Sequence, residues 1–193
     1  MMKGDKMITE IATSTNAYKE VIEKNQNSVW IGSTFEHHKG LSSKAKGSWG
    51  ERLACDILEE LGAIVPRIEK GKNKGRNKKP KNSGTDFDIY VDDKTIEVKT
   101  SFAWDETEDS FTWQQIRDQE YEYIVFIGVN PNECKAWFAT KNDLIKNIFG
   151  RNEYRQHAGK DGEQDLYWIQ TKGDVLDWFI PIENWGEKID TIE

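Results

Sequence analysis

Two acidic residues and a lysine, Asp88, Glu97 and Lys99, have the residue types and the spacing for chemistry on a phosphate ester. They lie in two short segments in which apolar and polar residues alternate, the pattern of half-buried strands. The pair Asp92-Asp93 between the segments fits a two-residue hairpin turn. That turn would place Asp88 opposite Glu97 on the polar face of a hairpin, with Lys99 beside them.

Directly opposed carboxylates on a hairpin have β-carbons about 4.5–5.5 Å apart, so they repel each other unless a cation lies between them. A hard divalent metal with oxygen ligands relieves that repulsion. Asp88, Glu97 and Lys99 therefore predict a Mg²⁺ site beside an ammonium group, which suits phosphodiester cleavage. The alternative is an ordinary solvated hairpin face, since charged residues make up 32% of the chain.

The positive charge of the chain is concentrated in one segment. The formal net charge is −7, yet residues 70–81 contain seven Lys or Arg and no acid. A compact basic segment on an acidic body indicates a localised phosphate-binding surface. A solubilising loop is the equally weighted alternative. The residues predicted to contact DNA in this segment are Lys72, Lys74, Arg76, Lys78 and Lys79.

Length and composition set the limits of the fold. At 193 residues the chain is expected to form a single domain with a substantial core. The longest apolar run, 123–129, is too short to span a membrane, and the N-terminal residues lack the apolar core of a signal peptide. Cys55 and Cys134 show no metal-ligand spacing, which favours a reduced, cytoplasmic setting.

Apolar periodicity predicts the elements that hold these residues. In the segment 43–61, Trp49, Leu53, Ile57 and Leu61 recur every four residues, and Gly62 is a suitable helix end. This order of helices and strands predicts an α/β fold around a mixed sheet. The other predicted helices are 8–25, one from Ser110 or Thr112 to Glu120, 141–149 and 174–179, and the predicted strands are 64–68, the hairpin at 86–100, 123–129, 135–140 and 166–170.

The motifs and their order resemble the PD-(D/E)XK nuclease superfamily, the restriction-endonuclease-like fold. Residues 50–62 are similar to the Gly-Glu-x-x-Ala-x-x-x-Leu-x-x-x-Gly helix of resolvase-like members. Residues 84–89 and 96–101 are similar to the two strands that carry the acids and the lysine. The likeness covers about 43–140, with an N-terminal helical extension at 1–42 and a C-terminal extension at 150–193.

The resemblance implies roles for the matching residues. Asp88 and Glu97, with the carbonyl of Val98, would hold Mg²⁺, for which Mn²⁺ is expected to substitute. Asp86 lies on the same predicted face as Asp88 and is an alternative or supporting ligand. Lys99 would orient or deprotonate the attacking water or stabilise the phosphate that it attacks. Glu51, at the edge of the buried stripe of its helix, would complete the catalytic set.

The family also implies the partners. The expected substrate is double-stranded DNA, and the later segments 113–121 and 136–144 are most similar to those of type II restriction endonucleases, which act as homodimers. A structure-specific or nicking nuclease of repair, recombination or phage metabolism is one alternative, and a non-catalytic nucleic-acid-binding module on the same fold is another. Further predicted DNA contacts are Gln115, Arg117, Arg155, His157 and Lys160.

Overall fold

A computed structural model describes residues 28–81, 86–104, 109–155 and 166–189. Its strands are β1 (Ile89–Val91), β2 (Lys94–Phe102), β3 (Thr112–Arg117), β4 (Tyr123–Val129), β5 (Cys134–Thr140), β6 (Leu166–Gln170) and β7 (Ile180–Pro181). Its helices are α1 (Glu36–Lys39), α2 (Ser43–Glu60), α3 (Lys141–Asn147) and α4 (Trp185–Lys188), with 3₁₀ turns at Asn152–Tyr154 and Ile182–Asn184.

The main sheet has five strands in the order β1-β2-β4-β5-β7. Strands β2 and β4 are parallel, and the other neighbouring pairs are antiparallel. Every residue of β4 is buried, as its apolar sequence predicts for a central strand. Strands β3 and β6 form a separate antiparallel pair. The chain is therefore α/β with a mixed sheet flanked by helices, which confirms the predicted class, while the restriction-endonuclease-like core stays a prediction.

Helix α2 begins and ends where the sequence predicts. The Ser42 hydroxyl accepts a hydrogen bond from the Ala45 N–H at 3.3 Å and so satisfies one unpaired donor of the first turn. Gly62 has φ +92°, which a residue without a side chain adopts at no steric cost. The N–H of Ala63 then donates to the Leu58 carbonyl at 2.9 Å and closes the last turn.

The face that α2 buries is displaced by one residue from the predicted stripe. Its buried residues are Gly50, Ala54, Cys55 and Leu58, which pack against β1 and β2. The predicted stripe of Trp49, Leu53, Ile57 and Leu61 is only partly buried, and Leu61 is exposed. Small side chains decide the difference, because they let the helix approach the sheet more closely than large ones would. Glu51 is thereby placed beside the buried face.

Gly50 is the point of closest approach between α2 and the sheet. A β-carbon added there would lie 1.8 Å from Thr100 Oγ1, whereas one added at Gly47 in the same helix would meet no atom within 4 Å. We expect Gly50→Ala to lower the free energy of unfolding by about 2–3 kcal/mol through overpacking. Gly47→Ala should instead raise it by up to about 1 kcal/mol, because alanine favours a helix. Urea unfolding of the two variants checks this pair, and equal effects would contradict it.

One predicted helix is a strand. Residues 112–120 do not form the predicted helix, because β3 pairs with β6 from Trp113 opposite Ile169 to Arg117 opposite Leu166. Trp113 and Ile116 are buried with a two-residue bulge between them, and Gln115 in that bulge has φ +56°. The three-residue spacing of the two apolar side chains therefore comes from a bulge and not from a helical turn.

Two further predictions were wrong. The predicted strand 64–68 contributes only an isolated bridge between Arg67 and Asn77. The predicted helix 174–179 is a series of turns, and the short helix α4 follows later. By contrast, the strands predicted at 135–140 and 166–170 and the helix predicted at 141–149 are confirmed as β5, β6 and α3. The predicted helix 8–25 lies outside the described residues. Among the residues that are described, no helix has both the length and the apolar character to cross a membrane.

Candidate active site

The hairpin between β1 and β2 forms as predicted. Asp92 and Asp93 have φ values of 50° and 60°, the left-handed pair of a type I′ turn. Ile89 pairs with Ile96, so the next position outward places Asp88 beside Glu97. The Asp92 carboxylate fixes this turn, because it accepts hydrogen bonds from the Ile64 N–H at 2.6 Å and the Trp185 indole N–H at 2.8 Å.

Asp88 lies where β1 diverges from β2. The strand begins at Ile89, and the last backbone bond of the pair runs from the Asp88 N–H to the Ile96 carbonyl at 2.9 Å. The Val98 N–H therefore has no backbone partner on this side, and it donates to Asp88 Oδ2 at 2.9 Å. Because a strand residue points its N–H and C=O toward the same neighbour, the Val98 carbonyl leaves the strand beside Asp88.

Glu97 and Lys99 form a close ion pair with little solvent access. Lys99 Nζ lies 2.6 Å from Glu97 Oε1, and the lysine and glutamate side chains are 18% and 10% exposed respectively. Burial raises the pKa of Glu97, and the neighbouring Asp88 carboxylate raises it further, while the Lys99 ammonium opposes the rise. The site thus concentrates two negative charges that one lysine only partly compensates.

This set of oxygen donors fits a Mg²⁺ ion. Asp88 and Glu97 supply two carboxylates at one point, and the Val98 carbonyl lies on the same side. In the described part of the chain, no group of three or more His, Cys, Asp or Glu side chains forms a metal cluster. Mg²⁺ does not require one, because it is commonly held by one or two carboxylates and keeps several of its waters. The unfavourable pairing of Asp88 with Glu97 is the observation that favours a cation here.

Glu51 faces the same site from α2. It is half-buried and lines a cleft of about 320 Å³ together with Asp88. Burial raises the pKa of Glu51, and the negative charge of Asp88 raises it further. Cys55 also lines the cleft, but burial raises its pKa to about 12, so its thiol stays protonated at neutral pH and is no nucleophile. The chemistry of the cleft therefore rests on its carboxylates and cations.

The basic segment divides into two groups. Arg76 and Lys79 line the cleft beside Asp88, as do Arg67 and Arg52, which the sequence analysis did not single out. Lys79 donates to the Phe87 carbonyl, and its ammonium lies 4.6 Å from the centre of the Phe87 ring. The other predicted contacts of the segment are exposed and do not line the cleft, namely Lys72, Lys74 and Lys78.

A second groove lies on the other side of Lys99. It has a volume of about 570 Å³ and is lined by Lys46, Gln114 and Gln115 as well as by Lys99. The bulge in β3 exposes both glutamines, so the error in secondary structure leaves Gln115 near the predicted site. Arg117 is exposed at the end of β3 and does not line either space.

The remaining predicted residues are less closely associated with the site. The Asp86 carboxylate accepts a long hydrogen bond from the Gln119 amide at 3.4 Å, so Asp88 is the acid that the structure brings to Glu97. Arg155 is exposed and forms an isolated bridge with Tyr167 near β6. His157 and Lys160 lie outside the described residues.

Comparison of the chain with protein-family models, with curated proteins and with solved structures found no match. The resemblance to PD-(D/E)XK nucleases therefore rests on the motifs and on the order of elements. The geometry of Asp88, Glu97 and Lys99 is an independent observation, because it depends only on the structure of this chain.

Proposed function

We propose that this protein is a Mg²⁺-dependent endonuclease that hydrolyses phosphodiester bonds of double-stranded DNA. The observation that carries the proposal is the convergence of Asp88, Glu97 and Lys99 at one point of the sheet edge. A type II restriction activity is the form that the resemblance favours. Cutting both strands of a palindromic site requires two-fold symmetry, so we propose a homodimer as the active form. Both cysteines are free thiols, which agrees with the proposed cytoplasmic setting.

Asp88, Glu97 and the Val98 carbonyl would hold the ion, which when bound would polarise a phosphate oxygen and lower the pKa of a water ligand. Lys99 is held beside Glu97 at 2.6 Å, so its ammonium can orient the attacking water or donate to the phosphate as negative charge develops. Glu51 has a raised pKa, which suits a group that exchanges a proton near neutral pH. Asp88 orients the Val98 peptide through its hydrogen bond, and it thereby orients the carbonyl on the same side of the strand.

Incubation of the full chain with plasmid and phage DNA tests the proposal. With Mg²⁺ we expect discrete fragments whose ends map to one short sequence, and with EDTA we expect none. Selective cutting of branched or nicked substrates would instead support a structure-specific nuclease. Mg²⁺ binding measured by calorimetry separates an enzyme from a binding module. The absence both of cleavage and of binding at millimolar Mg²⁺ would refute the proposed activity.

A further inference from the structure

Three cations surround Glu51 in the cleft, and none of them is needed to hold the proposed metal. Burial and the Asp88 carboxylate raise the pKa of Glu51, and the positive charges of Lys79, Arg52 and Arg76 oppose that rise. All three cationic side chains line the cleft and belong to exposed residues. Neither Arg52 nor Arg76 forms a side-chain hydrogen bond or a salt bridge with any residue that the structure describes. Their charges are therefore available to a ligand.

The fold holds the basic segment against the cleft at two points. Arg67 binds the helix, since its guanidinium lies 2.7 Å from both Asp56 and Glu59, so its charge is already neutralised. Asn77 binds the free edge of β1, where its side chain accepts from the Tyr90 N–H and donates to the Tyr90 carbonyl, each at 2.8 Å. Asn77 thus replaces a neighbouring strand, and it fixes the positions of the cations on either side of it.

A phosphate is the ligand that this arrangement suits. Guanidinium groups bind phosphate oxygens through paired hydrogen bonds, and an ammonium adds a point charge. The cleft joins the Asp88 carboxylate at one side, so a nucleic-acid strand with one phosphate at Asp88 and Glu97 would bring a neighbouring phosphate to the cations. The body of the protein is acidic, and local cations are needed to draw DNA to this face.

We propose that Arg52, Arg76 and Lys79 form a subsite for a backbone phosphate next to the one that is cleaved. This inference rests on the proposed function for the nature of the strand. It also divides the basic segment, because Arg76 and Lys79 belong to the subsite while Lys72 and Lys74 do not.

Matched charge removals test the subsite. Arg52→Gln and Arg76→Gln remove a charge inside the cleft, and Lys44→Gln and Lys72→Gln remove one outside it from the same helix and the same segment. Anisotropy of a fluorescent duplex of about two helical turns, titrated in EDTA over a series of KCl concentrations, gives the salt dependence of binding. Each cleft variant should reduce the slope of log K against log salt by about 0.9, the value for one lost phosphate contact. Equal slopes for cleft and control variants would overturn the proposal.

A charge-conserving variant and a change of DNA end separate the remaining explanations. Arg76→Lys should keep the salt slope of the wild type, and a slope that falls as in Arg76→Gln would overturn a charge-based subsite. Duplexes with and without 5′-phosphates should give the same slopes. An effect confined to the phosphorylated duplex would overturn the backbone assignment, because it would identify a terminal phosphate as the ligand.

The same measurements distinguish this inference from the proposed function. They are made without divalent metal and do not depend on cleavage. If Mg²⁺-dependent cleavage occurs but the cleft variants bind like their controls, the subsite is wrong and the nuclease stands. If the cleft variants lose salt dependence but no substrate is ever cut, the phosphate subsite stands and the nuclease is wrong.

Discussion

Asp88→Asn should lower the rate of Mg²⁺-dependent DNA cleavage about a thousandfold while leaving the fold intact. The metal is worth several kcal/mol in the transition state, and about 1.4 kcal/mol corresponds to a factor of ten in rate. Asparagine keeps an oxygen that can accept the hydrogen bond of the Val98 N–H, so the local backbone is preserved. What the variant loses is one of the two negative charges that would hold the ion.

The same variant should respond to metal in the opposite way from the wild type. In EDTA it should be at least as stable as the wild type, because removing the Asp88 charge relieves its repulsion with Glu97. At a Mg²⁺ concentration about ten times Kd, the wild type should gain about 1.4 kcal/mol of unfolding free energy and the variant much less. Thermal unfolding with and without Mg²⁺ measures both effects independently of activity.

Asp93→Asn is the matched control for this experiment. It makes the same change of charge in the same hairpin, at a turn position with φ 60° that asparagine tolerates well. The Asp93 carboxylate accepts a hydrogen bond from the Tyr90 hydroxyl at 3.1 Å, an interaction that an amide oxygen can also make. Normal cleavage and a normal Mg²⁺ response are expected of this control. Loss of both in Asp93→Asn, or their retention in Asp88→Asn, would contradict the assigned metal site.

The parts of the fold that the sequence predicted are those determined by local interactions. The turn at Asp92-Asp93, the ends of α2 and the apolar strand β4 follow from residues that are neighbours in the chain. Strand β3 was missed because its partner β6 lies about fifty residues later, and no local pattern reveals a bulge between Trp113 and Ile116. Pairing between distant segments overrides local propensity in such cases.

The candidate site shows the same division. Asp88, Glu97 and Lys99 could be predicted together because they share one hairpin, whose register follows from the turn. Arg52 and Asn77 could not, since their importance arises only when the segment 67–79 folds against α2 and β1. A signal was present for Arg52, because it adjoins Glu51 on the helix. Nothing in the sequence separates Arg76 from Lys72, and only the anchoring of the segment does so.

Lys99→Met should lower cleavage by about 10²–10⁴-fold, the range for a group that moves or orients a proton in the transition state. It should also cost stability in the absence of metal, because Glu97 would remain buried beside Asp88 without its cation. Breaking a buried pair by removing one partner costs about 3–5 kcal/mol, and partial solvent access reduces this to about 2 kcal/mol. The loss should grow as pH rises through the raised pKa of Glu97, since the carboxyl group must then ionise without its partner.

The double variant Lys99→Met/Glu97→Gln separates the two roles of the lysine. A neutral glutamine in place of Glu97 no longer needs a cation, so urea unfolding should show most of the lost stability restored. Cleavage should remain absent, because a metal ligand and the lysine are then both missing. Recovery of stability without recovery of activity is the result that a catalytic Lys99 requires. A Lys99→Met single variant that cleaves DNA at the wild-type rate would leave Lys99 with a structural role alone, as the counter-ion of a buried glutamate.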